Sequence, residues 1–363
     1  MKRIILSLPL VLMLCVSVVS CNRELNSKQN SDKLCYIPIS ITEQYNGKTY
    51  SSKITLGDNN LPANITYGKE STPTRDYTYD VNGNVIKLIS TYESAVKTVQ
   101  DYTYDENGNM IKHIYTKFDG GREITQCSYD SNGNLIKRVI TLPSGTCHVF
   151  DRIYDANGHI IKKTDTYGDG VKATTEYVYD GNGNLIGKTF TGTNGENIVT
   201  DYTYNAGGYI VNEICTYADG GKTATDYVYD AHGNMAQKLI TYKNGTKGSY
   251  DYENGILIKS VYTDSIGYKI TDDYTYDADG NLLERVHTTS HKENADSPTV
   301  VTDNYTYDAH GNVIKMVTVG ADGEITKSID VQYQAVYLEN EIPKKTQEVL
   351  DDFLSSIYGE SGG

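Results

Sequence analysis

Apolar and polar positions along this chain recur in a fixed pattern. Tyr79, Tyr104, Tyr129, Tyr154, Tyr179, Tyr204 and Tyr229 stand 25 residues apart, and shifted copies follow at Tyr252, Tyr276 and Tyr307, with Tyr333 as a degenerate last member. About ten units therefore span residues 71–338. A representative unit runs Asp101-Tyr102-Thr103-Tyr104, crosses a polar cluster, and resumes with the adjacent apolar pair Met110 and Ile111. Two strands and two turns fit this length, which predicts an all-β array of β-hairpin repeats. The pattern changes near the end. Val349, Leu350, Phe353, Leu354 and Ile357 fall at helical spacing after Pro343, predicting a short amphipathic C-terminal helix that covers the end of the array.

The polar clusters are turns with a chemical signature. Asp-x-Asn-Gly-Asn occupies Asp80 to Asn84, Asp105 to Asn109, Asp130 to Asn134 and Asp180 to Asn184. Asp first, Asn third and Gly fourth suit a type I turn with a left-handed glycine, the usual three-residue hairpin loop. A second turn is carried by Asp119-Gly120, Asp169-Gly170, Asn194-Gly195, Asp219-Gly220 and Asn244-Gly245. With Asp80 and Asn84 closing the loop, Tyr79 is expected to face Val85, Tyr77 to face Lys87, and Thr78 to face Ile86. The Val85 and Ile86 columns are both apolar, so each face carries apolar side chains. That predicts a curled or spiral sheet covering part of itself.

Comparing the repeats with one another separates two tyrosine columns. The Tyr79 column is Tyr in every copy of the 25-residue series and is expected to be core, whereas the neighbouring column reads Tyr77, Tyr102, Cys127, Arg152, Tyr177, Tyr202 and Tyr227. A position that admits Arg152 is read as partly open to water. Tyr77, Tyr102, Tyr177, Tyr202, Tyr227 and Tyr305 are therefore the candidate ligand-binding residues, with Lys87, Lys112 or Lys315 across the strand from some of them. Such a row of rings could stack on the faces of an extended glycan.

At the amino terminus, Lys2 and Arg3 precede an apolar run from Ile4 to Val19, the form of an export signal over residues 1–20. Val18-Val19-Ser20-Cys21 resembles the lipobox of bacterial lipoproteins, which implies cleavage before Cys21 and lipidation of its thiol. Residues 21–34 read as a flexible tether, 35–70 as an N-terminal β segment, 71–338 as the repeat array, and 339–363 as helical cap and tail. Loss of Lys2 and Arg3 lowers the 33 basic side chains to 31 against 47 acidic ones, a formal charge of −16. Nucleic acid and anionic headgroups are poor partners for such a surface. Membrane attachment is expected through the lipid on Cys21, on the extracytoplasmic side of the cell envelope, at the outer membrane or cell surface.

The repeated Tyr104-Asp105-Glu106-Asn107-Gly108 and its copies resemble the Tyr-Asp-x-x-Gly motif of the YD-repeat, or Rhs-repeat, family. Large members of that family coil many more repeats into a hollow β-shell around a carboxy-terminal toxin, or display them on cell surfaces. The match covers the repeat array only; no toxin-sized tail and no Asp-Pro-x-Gly motif accompanies it. The resemblance implies hairpin architecture and an extracytoplasmic setting.

Motifs for other chemistry are weak. The Asp-x-Asn-Gly-Asn loops and Asp277-Ala-Asp279-Gly280-Asn281 lack the spacing and closing Glu of an EF-hand and are read as turns. His232 and His310 replace the Asn before Gly, and His159 also falls in a turn, so all three look like turn variants. His287 and His291 on one strand would lie roughly 13 Å apart, too far to share a metal. No catalytic constellation, metal site or cofactor motif is expected. Cys35, Cys127, Cys147 and Cys215 form an even set that invites disulfides, but the register keeps Cys127 and Cys147 apart. The expected function is ligand binding, such as glycan binding, by a lipid-anchored envelope protein. A structural or adhesive scaffold making surface-protein contacts, or an accessory to an Rhs-type toxin or secretion system, is the alternative.

Overall fold

The computed structural model describes residues 21–22, 33–68, 72–291, 298–338 and 349–350. The signal, most of the tether and most of the C-terminal helix predicted above lie outside them. Val349 and Leu350 are helical, and every other regular element is a strand. The chain divides into two compact units, one comprising residues 1–101, 305–318 and 325–363, the other residues 102–304 and 319–324.

In the first unit the strand Lys33–Tyr45 pairs antiparallel with Ile325–Leu338 on one side and with Lys48–Leu56 on the other. The first long strand of the chain therefore lies against the last, from Lys33 opposite Leu338 to Tyr45 opposite Lys327. This closes the sheet on itself and corrects the expected curled or spiral sheet. The cause lies in the side chains. Ile37, Ile41, Ile65 and Ile329 are wholly buried and Val331 nearly so, and burying an aliphatic side chain is worth about 1.5–3 kcal/mol. Glu43 and Lys327 are buried in the same region and form an ion pair at 3.3 Å.

The second unit is a meander in which each strand pairs with the next. Its central hairpin, Lys172–Tyr179 with Leu185–Thr191, shows the local logic. Asp180 Oδ1 accepts the backbone N–H groups of Asn182 and Asn184, and Oδ2 accepts the Asn184 side-chain amide. Gly183, at φ +85°, makes the left-handed step that closes the loop. These hydrogen bonds, the Asn184 amide first, hold the Asp180 carboxyl below its ordinary range. The whole motif is thus a self-satisfied turn.

Leaving the turn, Tyr179 pairs with Leu185 as the loop length requires, but the next pair is Val178 with Gly187. Ile186 is left over in a β-bulge. The same step separates Tyr79–Val85 from Thr78–Lys87, so Tyr77 faces Leu88 and the expected Tyr77–Lys87 and Thr78–Ile86 pairs are corrected. Two successive apolar residues cannot obey strict alternation, and the bulge resets the register by one. Lys87 consequently bonds Asp101 at 2.9 Å on the face opposite Tyr77. Lys137–Asp151, Lys162–Glu176 and Lys259–Asp273 repeat this pairing at 3.8, 2.8 and 2.7 Å.

Both tyrosine columns therefore share one face. The invariant column has a role beyond packing: the hydroxyls of Tyr129, Tyr154, Tyr179 and Tyr204 donate to the carbonyls of Met110, Leu135, Ile160 and Leu185 at 2.9–3.0 Å. Each bond reaches back to the first strand residue after the preceding Asp turn, fastening one hairpin to the one before it. Phenylalanine could fill the space but not make this bond.

Candidate functional site

On the tyrosine face of the second unit the bulge creates a stripe. Tyr177 lies opposite Lys188, Tyr202 opposite Glu213, and Tyr227 opposite Lys238. These three rings are half-buried and occupy equivalent positions on successive hairpins. The Tyr227 hydroxyl donates to Glu213 Oε2 at 3.3 Å, and burial, reinforced by that carboxylate, pushes its pKa up to about 12. Burial and Glu213 also raise Tyr202. Lys238 Nζ sits 5.8 Å from the Tyr227 ring centre and 5.7 Å from that of Tyr250.

The other sequence candidates divide. Tyr102 is half-buried and stacks on His113, ring centres 4.6 Å apart. In the first unit, Tyr305 is half-buried, whereas Tyr77 is only 9% exposed. The column expected to be the more open one is thus closed at Tyr77 and half-closed elsewhere. Lys87 and Lys112 leave its face because of the bulge, and Lys315 lies 3.6 Å from Asp330.

The two departures from tyrosine lead to residues that sequence reasoning missed. Cys127 pairs with Arg138, and Arg152 pairs with Lys163. With Lys188, this places Arg138, Arg152, Lys163 and Lys188 on one face across neighbouring hairpins. The Arg138 guanidinium lies 4.3 Å over the Phe150 ring, and Lys163 Nζ 5.3 Å from that of Tyr177. No carboxylate pairs with any of the four cations among the described residues, and Arg138 Nε and Arg152 Nη1 are buried without a hydrogen-bond partner. Burial raises the Cys127 thiol pKa, while a hydrogen bond to Tyr129 and the guanidinium charges of Arg138 and Arg152 oppose that rise. The available signal was the interruption of the column at Cys127 and Arg152, but interpreting it required the bulge.

Further along this face, one cluster of charges is matched. Asp272 accepts from Arg285 Nε and bonds the His287 ring, both at 2.8 Å, and Arg285 also approaches Asp303 at 3.6 Å. His287 is thus engaged by a carboxylate, and no group of metal-ligating side chains occurs among the described residues. A shallow recess beside the stripe is lined by Tyr167, Ala173, Phe190 and Glu196. Cys127, Cys147 and Cys215 are free, and Cys35 is disulfide-bonded.

No protein-family model matches the chain, and no curated protein matches it. Among solved structures, a TcdB2-TccC3-Cdc42 crystal structure aligns with TM-score 0.41 and 15% identity over 76% of this chain and 16% of that one. A TcdB2-TccC3 structure without its hypervariable C-terminal region gives 0.40 and 12% over 88% and 20%. A porin-like protein from Bacteroides uniformis gives 0.25 and 11% over 65% and 97%. This chain spans no more than 20% of the length of the two TcdB2-TccC3 chains.

Proposed function

We propose that this chain is a lipid-anchored cell-envelope repeat protein that binds an extracellular glycan along the tyrosine face of its second unit. The observation that supports this reading is the row Tyr177, Tyr202 and Tyr227, interleaved with Lys188, Glu213 and Lys238. Alternate strands of a sheet lie roughly 9.5 Å apart, so the rings repeat at a spacing an extended oligosaccharide can follow. Half-buried rings offer flat apolar surface, and the intervening polar groups offer hydrogen bonds to hydroxyls. Tyr77 is buried and belongs to the packing. The test replaces Tyr177, Tyr202 and Tyr227 together with Ser, following the fold by melting and binding on a glycan array. Binding lost at an unchanged melt supports the reading; a wild-type protein that binds no glycan refutes it.

The anchor carries its own test. Fatty-acid labelling that is abolished by Cys21→Ser and kept by Cys15→Ser supports the anchor. Equal labelling of wild type and Cys21→Ser contradicts it.

A further inference from the structure

The four cations of the second unit have a common anomaly. The chain holds 47 acidic against 33 basic side chains, so carboxylates are the abundant partner. Several other cross-strand cations find them: Lys137, Lys162 and Lys259 do so on the opposite face, and Arg285 does so on this one, while Lys238 lies against the rings of Tyr227 and Tyr250 instead. Arg138, Arg152, Lys163 and Lys188 do not. Asp165 and Glu213, carboxylates on the same face of neighbouring strands, make no ion pair with them. Two guanidinium nitrogens are buried without any acceptor. Leaving charged donors unsatisfied and like charges adjacent is destabilising, and such an arrangement is expected where an external group completes it.

The chemistry of that group follows from its surroundings. Four cations on adjoining hairpins call for several negative charges in succession. Arginine donors favour planar or tetrahedral oxyanions. Phe150 beneath Arg138 and Tyr177 beside Lys163 add ring surface between the charges. Because Tyr177 also begins the tyrosine row, the cations and the row form one continuous stripe.

We infer that Arg138, Arg152, Lys163 and Lys188 form an anion-binding subsite for an acidic oligosaccharide carrying carboxylate or sulfate groups. This rests on the glycan reading above and narrows its ligand class. A nucleic acid would present comparable charge, but the strongly acidic chain disfavours a long phosphate backbone.

Calorimetric titration of the whole protein with an oligogalacturonate, a sulfated oligosaccharide, a neutral methyl-esterified oligogalacturonate and single-stranded DNA tests the inference. At least one acidic sugar should bind, with affinity falling as salt rises, and the neutral and DNA probes should bind at least tenfold more weakly. The two acidic probes distinguish carboxylate from sulfate. Arg138→Gln combined with Arg152→Gln should weaken acidic-sugar binding at least tenfold and should leave the unliganded melting temperature unchanged or raised, since it removes unpaired charge. Lys163→Gln with Lys188→Gln should weaken binding in the same direction. Failure of both acidic probes, equal DNA binding, or full acidic-sugar binding by either double variant overturns the inference. Binding of the neutral sugar alone, abolished by the tyrosine triple substitution, would overturn the subsite while sparing the glycan reading.

Discussion

The two units solve the same sheet-forming problem with different side chains. In the first, Ile37, Ile41, Ile65 and Ile329 are wholly buried, and the buried charges Glu43 and Lys327 pair with each other. In the second, only Leu282 among the described apolar residues is comparably buried, and the tyrosine face carries charge that no side chain matches. The first unit is held by apolar burial. The second is held by ladder bonds, self-capped turns and, at Tyr129, Tyr154, Tyr179 and Tyr204, hydroxyls that fasten a hairpin to the previous one. A repeated surface fixed by backbone and turn chemistry leaves its half-buried face positions free to vary, and the ligand-binding candidates of this unit lie there.

The largest effects should fall in the first unit. Lys327→Met removes the ammonium that pairs with buried Glu43 and should cost about 3–5 kcal/mol in chemical denaturation. Ile329→Ala should cost about 2–5 kcal/mol, whereas Ile240→Ala, at a half-buried position of the second unit, should cost less than about 2 kcal/mol. Equal losses at Ile329 and Ile240 would erase the contrast.

An intermediate effect should appear in acid. Burial alone would raise the Asp272 pKa, but the His287 hydrogen bond and the Arg285 charge outweigh it and hold the carboxyl below its ordinary value. Its contribution is therefore present above the unfolded carboxylate pKa of about 3.9 and is lost as pH falls through the lower folded value. The stability gap between wild type and Asp272→Leu should narrow across that window. A gap independent of pH would show that the carboxylate charge is not what stabilises the cluster.

Smaller changes separate the devices within the second unit. Tyr154→Phe deletes only the hydroxyl that reaches the Leu135 carbonyl and should cost about 1 kcal/mol. Lys162→Ala removes a half-exposed pair with Glu176 and should shift stability by less than about 0.5 kcal/mol. If Tyr154→Phe proves as neutral as Lys162→Ala, the hydroxyl fastening is not a stabilising element.

Much of this architecture was legible in the sequence. The spacing of Tyr79 and its copies located the hairpins, and the Asp-x-Asn-Gly-Asn signature located the turns and paired Tyr79 with Val85. The register beyond that pair is not local: two adjacent apolar residues after each turn fit two apolar faces as well as a bulge, and the protein has the bulge. The bulge moves Lys87 off the tyrosine face and brings Arg138, Lys163 and Lys188 onto it. Arg152 reads as partly open to water in the sequence because the register that sets Lys163 opposite it is not visible there. Sheet closure depends on strands almost three hundred residues apart, Lys33–Tyr45 and Ile325–Leu338, and no local pattern connects them.

Hydrogen exchange of the protein with and without a saturating acidic oligosaccharide tests the central claim most directly, because it reads both units at once. Ligand should slow exchange in peptides covering Leu135–Thr141, Cys147–Tyr154, Ile160–Thr166 and Leu185–Thr191, and leave Lys33–Tyr45 unchanged. Protection confined to the first unit, or no protection under conditions where calorimetry shows binding, would contradict the assignment of recognition to the tyrosine face of the second.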